Sequence, residues 1–121
     1  MKESLKVLVI DDNIGITDMI HKLLTVSGHE CTVSNDGKNG LVLIDQQNFD
    51  TIILDLAMPE FTGIDIIESL YKSGKIKDKK IVVLTASVVN DAEEKEILAK
   101  GVKAVLRKPI DSDVLMKIIE N

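Results

Sequence analysis

The chain has 121 residues, 45% of them hydrophobic and 29% charged, with a net charge of −5. That suits one soluble domain with a buried core and is too short for two. The acidic balance speaks against direct nucleic-acid binding, which rests on a basic face, and the apolar runs reach only about six residues, far short of a membrane span. Cys31 is the only cysteine, so an internal disulfide is excluded and a reducing compartment is indicated. The polar start Met1-Lys2-Glu3-Ser4 leads into no signal-peptide apolar core, and the expected location is cytoplasmic. Phe49, Phe61 and Tyr71 are the only aromatics, which leaves no stacking platform for bases or a flavin ring.

Leu5 to Ile10 reads as a buried strand from its β-branched content, and Asp11-Asp12-Asn13 follows at once. Ile16, Met19, Ile20, Leu23 and Leu24 then recur at helical spacing until Gly28 stops the helix. Glu30 to Ser34 is a short second strand. Asp36 is placed to cap a second helix that turns Leu41 and Ile44 inward and ends before Phe49. Ile52-Ile53-Leu54 is an unbroken apolar run, as in a parallel strand covered on both faces. Asp55 stands at its carboxyl end, and Pro59 forbids a simple continuation. Gly63 opens a third helix carrying Ile64, Ile67, Leu70 and Tyr71, and the lysine-rich stretch from Ser73 to Lys80 reads as a solvated connection. Ile81 to Leu84 is a fourth strand, ending in Thr85-Ala86-Ser87. Asp91 is placed to cap a fourth helix from Ala92 to Lys100. It is mostly charged, with Ile97, Leu98 and two alanines to bury, and is expected to be the loosest element. After Gly101, Ala104-Val105-Leu106 forms a fifth strand followed by Arg107-Lys108-Pro109. Asp111 or Ser112 caps a last helix with Val114, Leu115, Ile118 and Ile119 on one face.

Strands and helices alternate five times with no repeat or linker. This predicts one α/β domain over residues 1–121, a doubly wound parallel sheet with helices on both faces. Alternation alone leaves the strand order open. If the first and third strands flank the switch point, the order is 2-1-3-4-5, flavodoxin-like, and a site lies above them. Asp11 and Asp12 then converge with Asp55. Two unit charges about 5 Å apart repel by roughly 3 kcal/mol at an effective dielectric of about 20. Three carboxylates without a partner therefore raise the pKa of one member or require a cation. Oxygen ligands with no neighbouring His or Cys favour Mg²⁺ over zinc or copper. Taken singly, Asp11 and Asp12 read equally well as turn and cap residues; their joint placement with Asp55 at two adjacent strand ends favours a site. Thr85 and Lys108 offer a hydroxyl and an ammonium at two further strand ends, although most lysines are simply surface residues. Acids, a hydroxyl and a lysine around one pocket suit phosphoryl chemistry with a carboxylate nucleophile.

Val9-Ile10-Asp11-Asp12-Asn13, Leu54-Asp55-Leu56-Ala57-Met58-Pro59, Gly63, Leu84-Thr85-Ala86 and Lys108-Pro109 are each weak signals. In this order and spacing they resemble a two-component response-regulator receiver domain over essentially the whole chain. The resemblance implies the strand order 2-1-3-4-5 and a phosphoacceptor at Asp55, served by a sensor histidine kinase or phosphotransfer protein. It implies Mg²⁺ held by Asp12, Asp55 and the Ala57 carbonyl, with Asp11 nearby. Thr85, Lys108 and the Ala86 N–H would hold the phosphoryl oxygens, and the Lys108–Pro109 bond would be cis. It also implies a signalling domain that catalyses only its own phosphoryl transfer and slow autodephosphorylation. Its downstream protein target would dock on the fourth helix, fifth strand and fifth helix, where Lys95, Lys103 and Arg107 are candidate polar contacts. Two departures stand out. Phe61-Thr62 precedes Gly63 where the family often has Met-Asp. Val105 stands where the family usually has a Tyr or Phe that swings inward. Its short side chain has one stiff χ angle, so the signal is expected to travel through the loop after Thr85 and the fourth helix.

Rival readings fare worse. An aspartate-nucleophile phosphatase needs a second acid two residues after the nucleophile, and Ala57 stands there. A flavodoxin-like cofactor binder needs a first loop that welcomes phosphate, and Asp11-Asp12 repels it. His21 and His29 read as ordinary surface or edge residues and not as phosphotransfer histidines. The runner-up is a protein-binding module of the same fold that works without phosphorylation; its mark would be a lost acid or lysine, and none is lost. The short last helix ending at Asn121 fits a stand-alone regulator or the receiver of a longer protein.

Overall fold

The computed structural model describes residues 3–121, so Met1 and Lys2 of the polar start lie outside the described residues. Five strands, β1 (Lys6–Ile10), β2 (Glu30–Ser34), β3 (Thr51–Leu54), β4 (Ile81–Thr85) and β5 (Ala104–Arg107), form one parallel sheet in the order β2-β1-β3-β4-β5. The crossovers are α1 (Ile14–Val26), α2 (Gly37–Gln46), α3 (Gly63–Lys72) and α4 (Asp91–Ala99), and α5 (Ser112–Glu120) closes the chain. The predicted doubly wound α/β architecture and strand order both stand. Ile10 lies beside Leu54 in the register, so the residues that follow them, Asp11 and Asp55, leave the sheet side by side at the switch point.

The unbroken apolar runs exist because the sheet is covered twice. Successive strand residues point to opposite faces. Leu8, Ile10, Ile52, Leu54, Ile81 and Val83 join Ile44 of α2, Ile66, Ile67 and Leu70 of α3, and Ile97 of α4. Val7, Val9, Ile53 and Leu84 join Ile20 and Leu24 of α1 and Leu115 and Ile119 of α5. Each helix starts at a side chain that accepts a first-turn N–H: Asn13, Asp36, Thr62, Asn90 and Asp111. The cap of α4 is therefore Asn90; Asp91 is its first residue, where a carboxylate favours the positive end of the helix dipole.

Three other regions also differ from expectation. The Ser73–Lys80 connection is more than a solvated loop: Lys75–Asp78 winds a 3₁₀ turn that buries Ile76 in the core. One apolar residue among lysines leaves no periodic signal. Met19, Ile64, Tyr71, Leu98 and Val114 are exposed. A helix lying on a sheet buries only a narrow stripe, and in α1 that stripe is Thr17, Ile20 and Leu24. His21 is exposed as expected, but His29 is buried. Its Nδ1 accepts the Leu5 N–H at 3.1 Å and its Nε2 pairs with Glu120 Oε2 at 2.8 Å, tying the start of β1 to the end of α5. Lys80 reinforces the same end by donating to the Ile118 and Ile119 carbonyls, which the terminating helix leaves without intrahelical partners. Burial, aided by Lys103, pulls the Lys80 pKa down. Among the described residues no helix is long and apolar enough to cross a membrane.

Candidate functional site

Asp11, Asp12 and Asp55 meet above β1 and β3, each offering one carboxylate oxygen within 4.8 Å of the others. Asp11 and Asp55 are buried and Asp12 is exposed, so the cluster opens to solvent on one side. The Asp11 Oδ1 accepts the Asn13 N–H at 2.9 Å, and its Oδ2 receives the Lys108 ammonium at 2.7 Å. The same ammonium stands 3.8 Å from Asp55 Oδ2. Lys108 comes from the end of β5 and reaches across β4, anchored by its backbone N–H on the Thr85 carbonyl at 3.0 Å. The Lys108–Pro109 bond is cis, as expected.

Burial is the main reason that the Asp55 pKa is raised above the ordinary 3.8, and the Asp11 charge pushes the same way. Lys108, the Ala57 N–H and the Thr85 hydroxyl oppose the rise without cancelling it. Thr85 is completely buried, and its hydroxyl accepts the Ser87 N–H at 3.1 Å. Ala57 is exposed, with its N–H 3.4 Å from Asp55 Oδ1. Ala86 follows Thr85 at the exposed rim. Thus Asp11, Asp12, Asp55, Ala57, Thr85, Ala86 and Lys108 all lie at the carboxyl ends of β1, β3, β4 and β5.

Two contributors were missed. Asn35, just after β2, donates through Nδ2 to the Asp11 carbonyl at 2.9 Å and to Thr17 Oγ1 at 3.1 Å. The signal was available in the strand order, because a residue following β2 must lie beside one following β1. Gly63 is part of the receiver-like pattern and opens a helix, but nothing in the sequence shows its close approach to the Asp55 backbone. A Cβ there would lie 2.1 Å from the Asp55 carbonyl oxygen and 2.8 Å from Leu56 Cα, so glycine lets α3 press against the backbone that carries Asp55.

On the expected output side, Val105 is half-buried and packs against the α2–α4 core. Arg107 is engaged within the chain, its Nη2 donating to the Val89 carbonyl at 3.2 Å and to Glu94 Oε1 at 2.8 Å. Lys95 is exposed. Lys103 lies with Lys77, Lys79 and Lys80 around a depression at the amino end of β5, away from the acids. α4 buries only Ile97, and Lys100 at its end pairs with Glu68 of α3.

The sequence and the fold resemble those of known proteins. The family model for the response regulator receiver domain matches residues 7–120. Chemotaxis protein CheY of Pseudomonas aeruginosa is 30% identical over 117 residues, covering 96% of this chain and 94% of that one. The receiver domain of the Francisella response regulator 1452 superposes with a TM-score of 0.87 at 32% identity, covering 96% of this chain and 93% of its own. The response regulator TrrA of Thermotoga maritima, solved in complex with Mg(2+)-BeF, superposes with a TM-score of 0.78 at 26% identity, covering 97% of this chain and 95% of its own. With the match running from the first strand to the last helix, the chain belongs to the response regulator receiver domain family of two-component systems.

Proposed function

We propose that this domain is a phosphoacceptor whose nucleophile is Asp55, with Mg²⁺ as its cofactor and a sensor histidine kinase or phosphotransfer protein as its donor. The observation that carries this reading is the set of three carboxylates within 4.8 Å with the Lys108 ammonium against Asp11 and Asp55. An oxygen-only donor set, two of its acids buried, fits a hard divalent cation, and the raised Asp55 pKa marks charge that a cation would relieve. Asp11, Asp12 and Asp55 would hold Mg²⁺ with the Ala57 carbonyl. Bound there, Mg²⁺ supplies charge neutralisation at the transferring phosphoryl group.

The chain's own groups do the rest. Lys108 keeps the neighbouring carboxylates compensated, and Lys108, the Thr85 hydroxyl and the Ala86 N–H receive the phosphoryl oxygens. An Asp55 carboxylate oxygen forms the new P–O bond as the P–N bond to the donor imidazole breaks, and the released imidazole nitrogen takes a proton from solvent. Ala57 stands two residues after Asp55, where turnover of phosphate esters needs a second acid to protonate the leaving group. The domain therefore acts as a switch and not as a turnover enzyme, and we place it in the cytoplasm.

The output runs through the loop after Thr85 and α4. One buried side chain and two partly exposed ion pairs hold that helix, so moving it costs little. The altered face, α4-β5-α5, meets a downstream protein; it contacts neither nucleic acid nor membrane. Intact mass after incubation with Mg²⁺ and acetyl phosphate tests the central step: one phosphoryl group adds to the parent, and none adds to Asp55→Asn or to the parent in EDTA. Undiminished phosphorylation of Asp55→Asn overturns the reading. Hydrogen exchange with beryllofluoride and Mg²⁺ tests the output, with protection changes expected to concentrate in residues 85–107.

A further inference from the structure

The geometry points to Asn35 as a positioning residue that orients the peptide joining Asp11 to Asp12, and so aims the Asp12 carboxylate at the metal position. This rests on reading the acid cluster as a Mg²⁺-dependent phosphoacceptor site. The residues around Asp11 show why such a device is needed. The Asp11 carboxylate is fixed directly, by the Asn13 N–H at 2.9 Å and by Lys108 at 2.7 Å. Asp12 is exposed, and among the described residues no hydrogen bond or ion pair holds its carboxylate. What the fold fixes for Asp12 is the backbone that carries it, and with it the direction of its Cα–Cβ bond.

That backbone is gripped from the end of β2 on both sides of the Asp11 α carbon. The Asp11 N–H donates to the Ser34 carbonyl at 3.1 Å, and the Asp11 carbonyl accepts from Asn35 Nδ2 at 2.9 Å. Removing the first contact would break sheet pairing, whereas the second is made by a side chain and can be removed alone. Asn35 is itself exposed, but its amide is steadied by the buried Thr17 hydroxyl at 3.1 Å. Thr17 in turn donates to the Ile14 carbonyl at 3.1 Å in the first turn of α1. The chain Thr17–Asn35–Asp11 thus links α1, the loop after β2 and the acid loop. Groups that orient metal ligands from outside the coordination sphere commonly change affinity by about 10- to 100-fold.

The test separates aiming from mere support. The rise in melting temperature with Mg²⁺ concentration gives an apparent dissociation constant for the parent, Asn35→Ala and Thr17→Val, with the melting temperature in EDTA as the structural baseline. Asn35→Ala is expected to raise the apparent constant about tenfold, and half-saturating Mg²⁺ for phosphorylation by acetyl phosphate should move by the same factor. Thr17→Val removes the acceptor that steadies Asn35 but keeps the bond to Asp11, so it shifts the constant in the same direction by less. An unchanged Mg²⁺ constant in Asn35→Ala overturns the proposal, as does a lowered EDTA baseline with the Mg²⁺-dependent rise intact. If Asn35→Ala does not fold, an unchanged constant in Thr17→Val overturns it. A parent protein that neither gains stability from Mg²⁺ nor takes up phosphoryl refutes the functional reading itself, and that result is distinguishable because it appears before any substitution is made.

Discussion

Gly63→Ala sets local propensity against tertiary packing with opposite signs. Gly63 is the first residue of α3, and its backbone is not in the left-handed region. Helix propensity alone therefore predicts that alanine stabilises, by up to about 1 kcal/mol. The structure predicts the reverse. The new Cβ would meet the Asp55 carbonyl oxygen at 2.1 Å, the Asp55 carbonyl carbon at 2.9 Å and Leu56 Cα at 2.8 Å, all of them backbone atoms that no rotamer change can move. Restoring ordinary contact, which starts at 3.4 Å, requires the first turn of α3 to retreat by about 1.3 Å, a strain of the overpacking kind. That strains the Gly63 N–H bond to the Leu56 carbonyl, now 3.1 Å, and loosens the packing of Ile66 and Ile67. Overpacking costs about 1–3 kcal/mol and a weakened backbone bond about 1 kcal/mol. Set against the propensity gain, the net loss is about 2 kcal/mol, or roughly 6–10 °C in a domain of this size. Urea and thermal unfolding followed by circular dichroism read this directly. A Gly63→Ala variant as stable as the parent, or more so, refutes the close-approach argument.

Three further outcomes follow from named groups. In EDTA the fold binds the Asp55 proton more tightly than the unfolded chain does, so the associated stability is fully present below pH 3.8 and is lost as pH rises through the raised folded-state value. Asp55→Asn, neutral throughout, should then melt higher than the parent at pH 7, and an equal or lower melting temperature contradicts the assigned strain. Thr51 is 1% exposed and its hydroxyl has no hydrogen-bond partner among the described residues. Thr51→Val should gain about 1 kcal/mol, seen as a higher urea midpoint; a drop would reveal a bond to that hydroxyl. Ile76→Ala should cost about 2–4 kcal/mol while Lys77→Ala stays within about 0.5 kcal/mol; similar urea midpoints for the two would show that the turn buries nothing of consequence.

The sequence by itself determined the five strands and five α-helices, the fold class and the acid–hydroxyl–lysine set, because those signals are local. Apolar runs mark strands covered on both faces, 3.6-residue spacing marks α3 and α5, Asp55 and Lys108 each follow directly on a strand, and Thr85 ends one. What the sequence left open was decided by contacts between segments far apart in the chain. The alternation of strands and helices is the same for any strand order, and only the pairing of Ile10 with Leu54 places Asp11 beside Asp55. His29 reads as a surface histidine until Leu5 and Glu120, 24 and 91 residues away, close on its two ring nitrogens. Ile76 carries no period, and its burial follows from the 3₁₀ turn that sets it into the core. Asn35 and Gly63 belong to the site for the same reason: a side-chain amide and a missing Cβ acquire meaning only when another strand's backbone arrives within 3 Å of them.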